Sequence, residues 1–183
     1  DTGIPDSFPT HLQSTGFNVV FIRFGSFITW KALEINTVLT HLSNKYGASA
    51  TVSLIGFSVG GMVTASYLLA KARWNITRAV ILDVPLERFN SANLTTPTLL
   101  IYGTNDTVTP AKESTSAWLK NAPANMTSLE TYPYQHNPWN LPVIESQVLA
   151  YLNGESVPLP EVSSGTFLVL ALGMCCILVK RKR

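Results

Sequence analysis

The sequence contains few of the residues that build covalent or metal-based scaffolds. Cysteine occurs only as the adjacent pair Cys175 and Cys176, so no disulfide framework or cysteine-rich metal site can form before them. Charged residues are also scarce, at 13% of the 183 residues, whereas hydrophobic residues make up 46%. That balance excludes a disordered chain and is enough for one domain with a sizeable core.

Positive charge is sparse except in the four basic residues 180–183. The preceding 179 residues hold nine basic and 11 acidic side chains, so the body of the chain is mildly acidic. Such a surface offers no attractive field to nucleic acid, and a nucleic-acid partner is excluded on this ground.

Short apolar runs rich in β-branched and aromatic residues alternate with segments of helical periodicity. The predicted strands are residues 17–24, 51–57, 78–85, 97–103 and 126–133, and the predicted helices are residues 30–46, 59–72, 111–122 and 141–152. Apolar strands separated by helices are typical of a sheet covered on both faces. Residues 1–153 are therefore predicted to form an α/β domain with a mainly parallel sheet and flanking helices.

The composition changes after residue 153. Residues 154–165 contain two prolines and several small polar residues, which is typical of a linker, and residues 166–179 form an uncharged, mostly apolar run. The basic tail 180–183 favours a single transmembrane helix over 166–179, with the tail in the cytosol. A buried C-terminal helix and a lipid-anchor signal are the alternatives, and a basic ending suits the second poorly.

Four N-x-Ser/Thr triplets begin at Asn75, Asn93, Asn105 and Asn125. Together they indicate that the body passes through a secretory lumen. The expected location is therefore the endoplasmic reticulum membrane or the cell surface, with glycans expected on Asn75, Asn93 and Asn125.

A serine lies between glycines at a predicted strand-to-helix junction, in the stretch GFSVGG. The G-x-S-x-G pattern suits a sharp turn that raises the hydroxyl of Ser58 above the strand end. Gly56 and Gly60 leave space for that turn, and Gly61 allows the helix to lie close to the sheet. The amide N–H of Val59, at the positive end of the helix, is the candidate donor to an oxyanion.

A serine nucleophile needs a base, and the base needs an orienting acid. The sequence has three histidines, of which His11 and His41 precede the serine, in or beside helices, and are expected at the surface. His136, in a loop after the last predicted strand of the domain, is the candidate base. Asp106, just after the preceding predicted strand, is the candidate acid.

The order Ser58, Asp106, His136 resembles that of the α/β-hydrolase family. GFSVGG is similar to its nucleophile elbow, YGTNDTVTP to its acid loop and YQHNPW to its histidine loop, within residues 5–154. The resemblance implies a Ser-His-Asp triad, an oxyanion site at Val59, and no metal or organic cofactor. The short spacing from Ser58 to Asp106 leaves no room for a large lid, as in dienelactone-hydrolase-like or serine-aminopeptidase-like members.

Several features leave alternatives open. Asp83 is a second candidate acid, since some family members place theirs one strand earlier. The family sheet also has a strand between those at 17–24 and 51–57, and the loop after it supplies the second oxyanion N–H. We expect an N-terminally truncated hydrolase, or a relative without catalysis. Asn105, beside the acid, is expected to stay unglycosylated because a glycan there would stand at the pocket rim.

The leading hypothesis is a membrane-anchored serine hydrolase that cleaves an ester, thioester or amide of a small-molecule or lipid-like acyl substrate. The alternative is a hydrolase-like binding or adhesion ectodomain with the fold and no catalysis, since fold alone does not decide function. Labelling by a fluorophosphonate probe separates the two.

Overall fold

A sheet with helices on both faces organises the chain. The computed structural model describes residues 7–23, 31–47, 51–70, 74, 76–155 and 174–180. The strands are β1 (Phe17–Arg23), β2 (Thr51–Phe57), β3 (Ile76–Leu82), β4 (Thr98–Gly103), β5 (Thr127–Tyr132) and β6 (Met174–Lys180). The helices are α1 (Ser7–Ser14), α2 (Lys31–Tyr46), α3 (Val59–Leu69), α4 (Ala111–Asn121) and α5 (Pro142–Asn153), with short 3-10 turns at Ser91–Asn93 and Pro138–Asn140.

The strands lie in the order β1-β6-β2-β3-β4-β5. The four strands from β2 to β5 run parallel to one another, whereas β6 pairs antiparallel with both β1 and β2. Parallel neighbours need crossover connections, which α3 supplies between β2 and β3 and α4 supplies between β4 and β5. The predicted α/β class with a mainly parallel sheet is confirmed.

Alternate residues of the strands point to two hydrophobic cores, one on each face of the sheet. On one face, Leu54, Ile81 and Leu100 pack with α2, α3 and α4. On the other face, Ile55 and Val80 pack with α1 and α5. Because both faces are covered, these strands are continuous apolar runs in the sequence.

The five strands and four helices predicted for the domain each begin and end within three residues of an observed element. The bounds of α1 could not be predicted from the sequence, because Phe8 and Leu12 are the two residues that it buries and they give little periodicity. A hydrogen bond between His11 Nδ1 and the Glu145 carboxylate joins α1 to α5.

Residues 174–180 differ from the prediction. They form β6, between β1 and β2, and not the second half of the transmembrane helix expected over 166–179. A short apolar run such as MCCILV suits a buried strand as well as a helix, and periodicity alone cannot separate the two. Residues 166–173 lie outside the described residues. Among those that the structure does describe, no helix is long and apolar enough to cross a bilayer.

Gly154 ends α5. Its φ of 81° lies in the left-handed region, which glycine adopts readily at the C-terminus of a helix. Beyond Glu155, the linker predicted over 154–165 lies outside the described residues.

Helix α3 lies close to β2 because two glycines face each other across the interface. A Cβ added at Gly61 would lie 2.1 Å from Val84 Cγ2 and 2.9 Å from Gly56 O. A Cβ added at Gly56 would lie 2.6 Å from Gly61 Cα and 2.7 Å from Gly60 O. This close approach fixes the start of α3, and with it Ser58, over the end of the sheet.

We expect Gly61→Ala to destabilise the fold, because its methyl group would overlap Val84 and the backbone of Gly56. Overpacking of this kind costs about 1–3 kcal/mol of unfolding free energy. Val84→Ala removes the nearer contact, so the double variant should be less destabilised than the sum of the two single variants. Urea unfolding of the four proteins measures this, and strictly additive free energies would contradict the close contact.

Candidate active site

Ser58 lies at the turn between β2 and α3, where the sequence predicts a nucleophile. Its backbone has φ 50° and ψ −121°, a conformation that costs about 1–3 kcal/mol and persists where surrounding contacts impose it. The Ser58 N–H donates to the Leu82 carbonyl at the end of β3 (2.9 Å), and the Ser58 carbonyl accepts from Gly61 and Met62. The side chain is thereby presented, partly exposed, at the carboxyl end of the strand.

His136 joins the serine to the acid. Its Nε2 lies 3.0 Å from Ser58 Oγ, and its Nδ1 lies 2.8 Å from Asp106 Oδ2. An ionised carboxylate only accepts hydrogen bonds, so Nδ1 carries the proton and Nε2 of the neutral ring accepts from the serine hydroxyl. The Phe57 ring packs beside the imidazole, with ring centroids 5.4 Å apart. The structure therefore brings the three predicted residues into one hydrogen-bonded line.

Asp106 is buried, and its carboxylate accepts four hydrogen bonds. Oδ1 accepts from the amides of Val108 (2.7 Å) and Thr109 (3.0 Å), and Oδ2 accepts from the Thr109 hydroxyl and from His136. Burial acts to raise the pKa of Asp106, but these hydrogen bonds outweigh it and lower the pKa below that of an ordinary aspartate. The carboxylate is thus ionised at neutral pH, as an acid that orients a histidine must be.

Val59 is the first residue of α3 and follows the serine directly. Amides in the first turn of a helix have no carbonyl partner within that helix, and the helix dipole favours negative charge beside them. The position suits a donor to an oxyanion, and that role of Val59 remains a prediction.

The loop that carries His136 rests directly on the backbone of the acid loop. The Asn105 amide donates to the Tyr134 carbonyl (3.1 Å). A Cβ added at Gly103 would lie 2.3 Å from the same carbonyl oxygen, so a side chain at this position would push the loop away. This backbone contact therefore helps to fix the position of the histidine loop above the sheet.

Backbone hydrogen bonds continue past the strand ends and join neighbouring turns. They run from the Ser58 amide to the Leu82 carbonyl (2.9 Å), from Asp83 to Ile101 (3.1 Å) and from Thr104 to Tyr132 (2.7 Å). Because the strands are parallel, their carboxyl ends meet at one edge of the sheet, and the site residues lie on these joined turns.

Asp83, the alternative acid, is fully buried just after β3. Its Oδ1 accepts from the Gly103 N–H and the Tyr134 O–H, both at 3.1 Å, whereas the carboxylate bonded to His136 is that of Asp106. Burial raises the pKa of Asp83 well above that of an ordinary aspartate, and the Asp106 charge raises it further. The geometry thus favours Asp106 as the acid.

Asp83, Asp106 and His136 offer atoms that all lie within 4.8 Å of one another, close enough to share a cation. Both ring nitrogens of His136 are already engaged, with Asp106 and with Ser58, and a cation would have to displace one of these bonds. The two carboxyls also accept from hydroxyl groups, those of Thr109 and Tyr134. The arrangement suits proton transfer better than metal binding.

Two of the three histidines lie away from the site, and two residues in contact with the site carboxyls were not predicted. His11 and His41 are exposed on helices, as expected. Thr109 and Tyr134 are site residues that the sequence patterns do not single out. Thr109 has a local signal, a threonine three residues after an aspartate in a loop, which suits a side-chain turn. Tyr134 has none, because its partner is 51 residues away along the chain.

Known proteins share these features. Residues 28–145 match a family of α/β hydrolases described as phospholipase/carboxylesterase, and the match spans more than half of the chain. The chain belongs to the phospholipase/carboxylesterase family.

Solved α/β-hydrolase structures share the fold of this family member. An esterase from Pyrococcus furiosus gives a TM-score of 0.61 at 20% identity, covering 71% of this chain and 63% of that chain. A serine hydrolase homologue from Coxiella burnetii gives a TM-score of 0.55 at 15% identity, covering 72% of this chain and 62% of that chain. An esterase from Exiguobacterium antarcticum gives a TM-score of 0.58 at 15% identity, covering 69% of this chain and 74% of that chain. At these identities the likeness shows the fold alone.

This phospholipase/carboxylesterase family member spans less than two thirds of the length of the Coxiella and Pyrococcus structures. A search of curated protein sequences gives no significant match.

Thr109→Val should destabilise this phospholipase/carboxylesterase family member at neutral pH, because valine lacks the hydroxyl that donates to Asp106 Oδ2. A hydrogen bond to a charged group contributes about 1.5–3 kcal/mol. Since the pKa of Asp106 is lowered in the folded state, its contribution to stability is present above the unfolded pKa of about 4 and is lost as pH falls through the folded value. The difference in unfolding free energy between variant and wild type should therefore shrink in acid.

Urea unfolding from neutral pH down to about pH 2 measures that difference. Thr107→Val is the matched control, because Thr107 is exposed in the same loop. A loss of unfolding free energy that is equal at both ends of the pH range would contradict the charge-dependent role of Thr109.

Proposed function

We propose that this chain is a serine hydrolase that cleaves carboxylic esters, with thioesters and amides as related acyl substrates. The observation that carries the proposal is the line from Ser58 Oγ through His136 to Asp106, with heavy-atom distances of 3.0 and 2.8 Å. A serine hydroxyl becomes an effective nucleophile when an oriented base takes its proton. The description of the family, and the esterases among the structural neighbours, support esters as the substrate class.

In the acylation step, His136 Nε2 takes the proton from Ser58 Oγ as that oxygen attacks the carbonyl carbon of the ester. Asp106 keeps the ring in the tautomer with a proton on Nδ1, and its charge stabilises the imidazolium that forms. The imidazolium then gives the proton from Nε2 to the leaving alcohol as the carbon–oxygen bond breaks. An acyl group on Ser58 Oγ remains.

Water completes the proposed cycle. His136 takes a proton from water as the water oxygen attacks the acyl carbon, and returns that proton to Ser58 Oγ as the acid product leaves. Each tetrahedral intermediate carries an oxyanion, for which the Val59 N–H is the proposed donor. These steps use protein side chains, the backbone and water, with no metal or organic cofactor.

The rim of the site is exposed and partly apolar. Val108, two residues after the acid, is 66% exposed, and its neighbour Thr107 is also exposed. An exposed apolar side chain in the acid loop suits an acyl chain or another apolar part of an ester. We therefore propose small-molecule or lipid-like acyl esters as substrates.

We further propose that the folded body faces a secretory lumen, at the endoplasmic reticulum or the cell surface. Asn93 is exposed in a 3-10 turn, and Asn125 is exposed just before β5, so both side chains are accessible to modification. Asn75 lies outside the described residues. Because residues 174–180 form a strand, the glycosylation triplets and not a membrane helix support this location.

Ser58→Ala should abolish labelling by a fluorophosphonate probe and lower the turnover of p-nitrophenyl esters by orders of magnitude without unfolding the protein. His136→Ala should cost nearly as much, because nucleophile and base act as a unit. Asp106→Asn should lower kcat about 10⁴-fold, since an amide cannot hold the imidazole in the required tautomer. In-gel fluorescence and initial rates measure these effects, and circular dichroism checks the fold.

Ser66→Ala is the matched control for the nucleophile. Ser66 lies on α3, the helix that begins just after Ser58, and its hydroxyl donates to the Met62 carbonyl. Labelling that survives Ser58→Ala would refute the assignment of the nucleophile. A folded wild-type protein that neither labels nor turns over esters would favour the alternative, a hydrolase-like binding or adhesion domain.

Asn105 should remain without a glycan in active protein, although it is exposed and begins a glycosylation triplet. Its backbone N–H donates to the Tyr134 carbonyl, so a glycan on this residue would stand beside the histidine loop. In protein from a eukaryotic secretory host, Asn105→Gln should leave the glycan count unchanged, whereas Asn93→Gln and Asn125→Gln should each lower it. Intact mass measures the number of glycans. A glycan on Asn105 in most active molecules would contradict the placement of this residue at the edge of the active site.

A further inference from the structure

Asp83 is a buried carboxyl that the proposed mechanism leaves unused. It is 0% exposed, and it follows β3 in the left-handed conformation, with φ 49°. Its Oδ1 accepts two hydrogen bonds, from the Gly103 amide and from the Tyr134 hydroxyl, both at 3.1 Å. Its Oδ2 has no hydrogen-bond partner among the residues that the structure describes. Both donors therefore meet one oxygen, and the other oxygen has none.

This pattern suits a neutral carboxylic acid. An ionised carboxylate spreads its charge over two oxygens, and burying one oxygen without a donor is strongly unfavourable. The titratable groups that face Asp83 are Asp106, His136, Tyr102 and Tyr134. Two carboxylates this close do not both ionise readily, and the four hydrogen bonds to Asp106 place the charge there.

The pKa of Asp83 shifts in the same direction. Burial raises it well above that of an ordinary aspartate, and the Gly103 hydrogen bond, which lowers it, does not compensate. The Asp106 charge raises the pKa further, so geometry and electrostatics agree on a protonated side chain.

We propose that Asp83, as a neutral acid, is a positioning residue that fastens the histidine loop to the end of β4. The inference rests on the hydrolase function proposed above. One atom, Oδ1, receives the Gly103 N–H of β4 and the Tyr134 O–H of the histidine loop. Tyr134 lies two residues before His136, and its carbonyl accepts from Asn105. The side chain of Tyr134 is thus tied through Asp83 to Gly103 at the end of β4, and its backbone is bonded directly to Asn105 in the acid loop.

Neutrality matters because a second anion here would compete with Asp106 for the imidazole. Asp106 Oδ2 accepts from His136 Nδ1 at 2.8 Å, and an Asp83 oxygen lies within 4.8 Å of the same ring. A negative charge on Asp83 would stabilise the imidazolium and slow the transfer of its proton to the leaving group. A protonated Asp83 fixes the loop without adding that charge.

Four variants separate these roles. Asp83→Asn keeps an acceptor oxygen for both donors and removes the ability to ionise, whereas Asp83→Ala removes the acceptor. Tyr134→Phe removes one of the two donors. Tyr67→Phe is the control, because Tyr67 is a similarly buried tyrosine whose hydroxyl bonds to Asn36, between α2 and α3.

With a p-nitrophenyl ester as substrate, Asp83→Ala should lower kcat about 10²-fold with little change in KM, the effect of a base displaced by about one ångström. Asp83→Asn should restore kcat to within about threefold of wild type, with the acid limb of the pH profile in place. Tyr134→Phe should lower kcat about tenfold, and Tyr67→Phe should leave it unchanged.

Unfolding supplies a readout that does not depend on activity. If the folded protein keeps the Asp83 proton, only the unfolded chain releases it above about pH 4. A raised folded pKa makes stability fall as pH rises, so the unfolding constant of wild type should increase about tenfold per pH unit relative to that of Asp83→Asn. The increase should stop once pH passes the folded pKa.

Two results would overturn the inference. Asp83→Asn with the kcat of Asp83→Ala would show that a neutral acceptor is not what the site requires. The second result is a ratio of the wild-type unfolding constant to that of Asp83→Asn that does not change with pH, together with an acid limb of the Asp83→Asn activity profile that moves to lower pH. This result would show that Asp83 is ionised. Probe labelling of the wild type keeps the two proposals apart. Failure to label overturns the hydrolase and this inference together, and labelling leaves the Asp83 comparisons to decide the inference alone.

Discussion

The site depends on backbone hydrogen bonds that continue across the carboxyl ends of neighbouring strands. Each turn donates to a carbonyl of the next strand, from the turn at Ser58 to the loop at Thr104. The strained backbone of Ser58 is imposed by this frame and by the contact of Gly56 with Gly61. Ser58, Asp106 and His136 are therefore placed by folding itself, before any substrate arrives, and preorganised groups of this kind are what stabilise a transition state.

The same edge of the sheet carries two carboxyls in opposite protonation states. Asp106 receives donors on both oxygens, so its pKa is lowered, whereas Asp83 receives donors on one oxygen and its pKa is raised by burial. The balance between burial and hydrogen bonding, and not residue type, thus decides which acid is charged. One group carries the charge that a histidine needs, and the other links backbone elements without adding a second charge.

The fold could be predicted from the sequence because strands buried on both faces leave continuous apolar runs. Ser58, Asp106 and His136 were also accessible to that reasoning, since each lies in a loop directly after a predicted strand. Tyr134 was not, because its hydroxyl meets a residue from a distant strand, and nothing local marks that contact. Residues 174–179 were expected in a membrane helix and form most of β6 instead, because a short apolar run carries no information on its partners, which here are β1 and β2.

The proposed nucleophile and the proposed base follow strands that differ in local stability. Ser58 follows β2, which has a neighbour on each side, whereas His136 follows β5, which is at the edge of the sheet among the residues that the structure describes. Leu129 of β5 is 36% exposed, and strands at an edge open locally at a lower free energy than strands in the interior. Brief fraying of β5 would withdraw the base while the turn at Ser58 stays intact. On warming, the protein would therefore lose the proposed activity below its melting temperature. It would regain that activity on cooling, because β5 is lost first and also re-forms most easily.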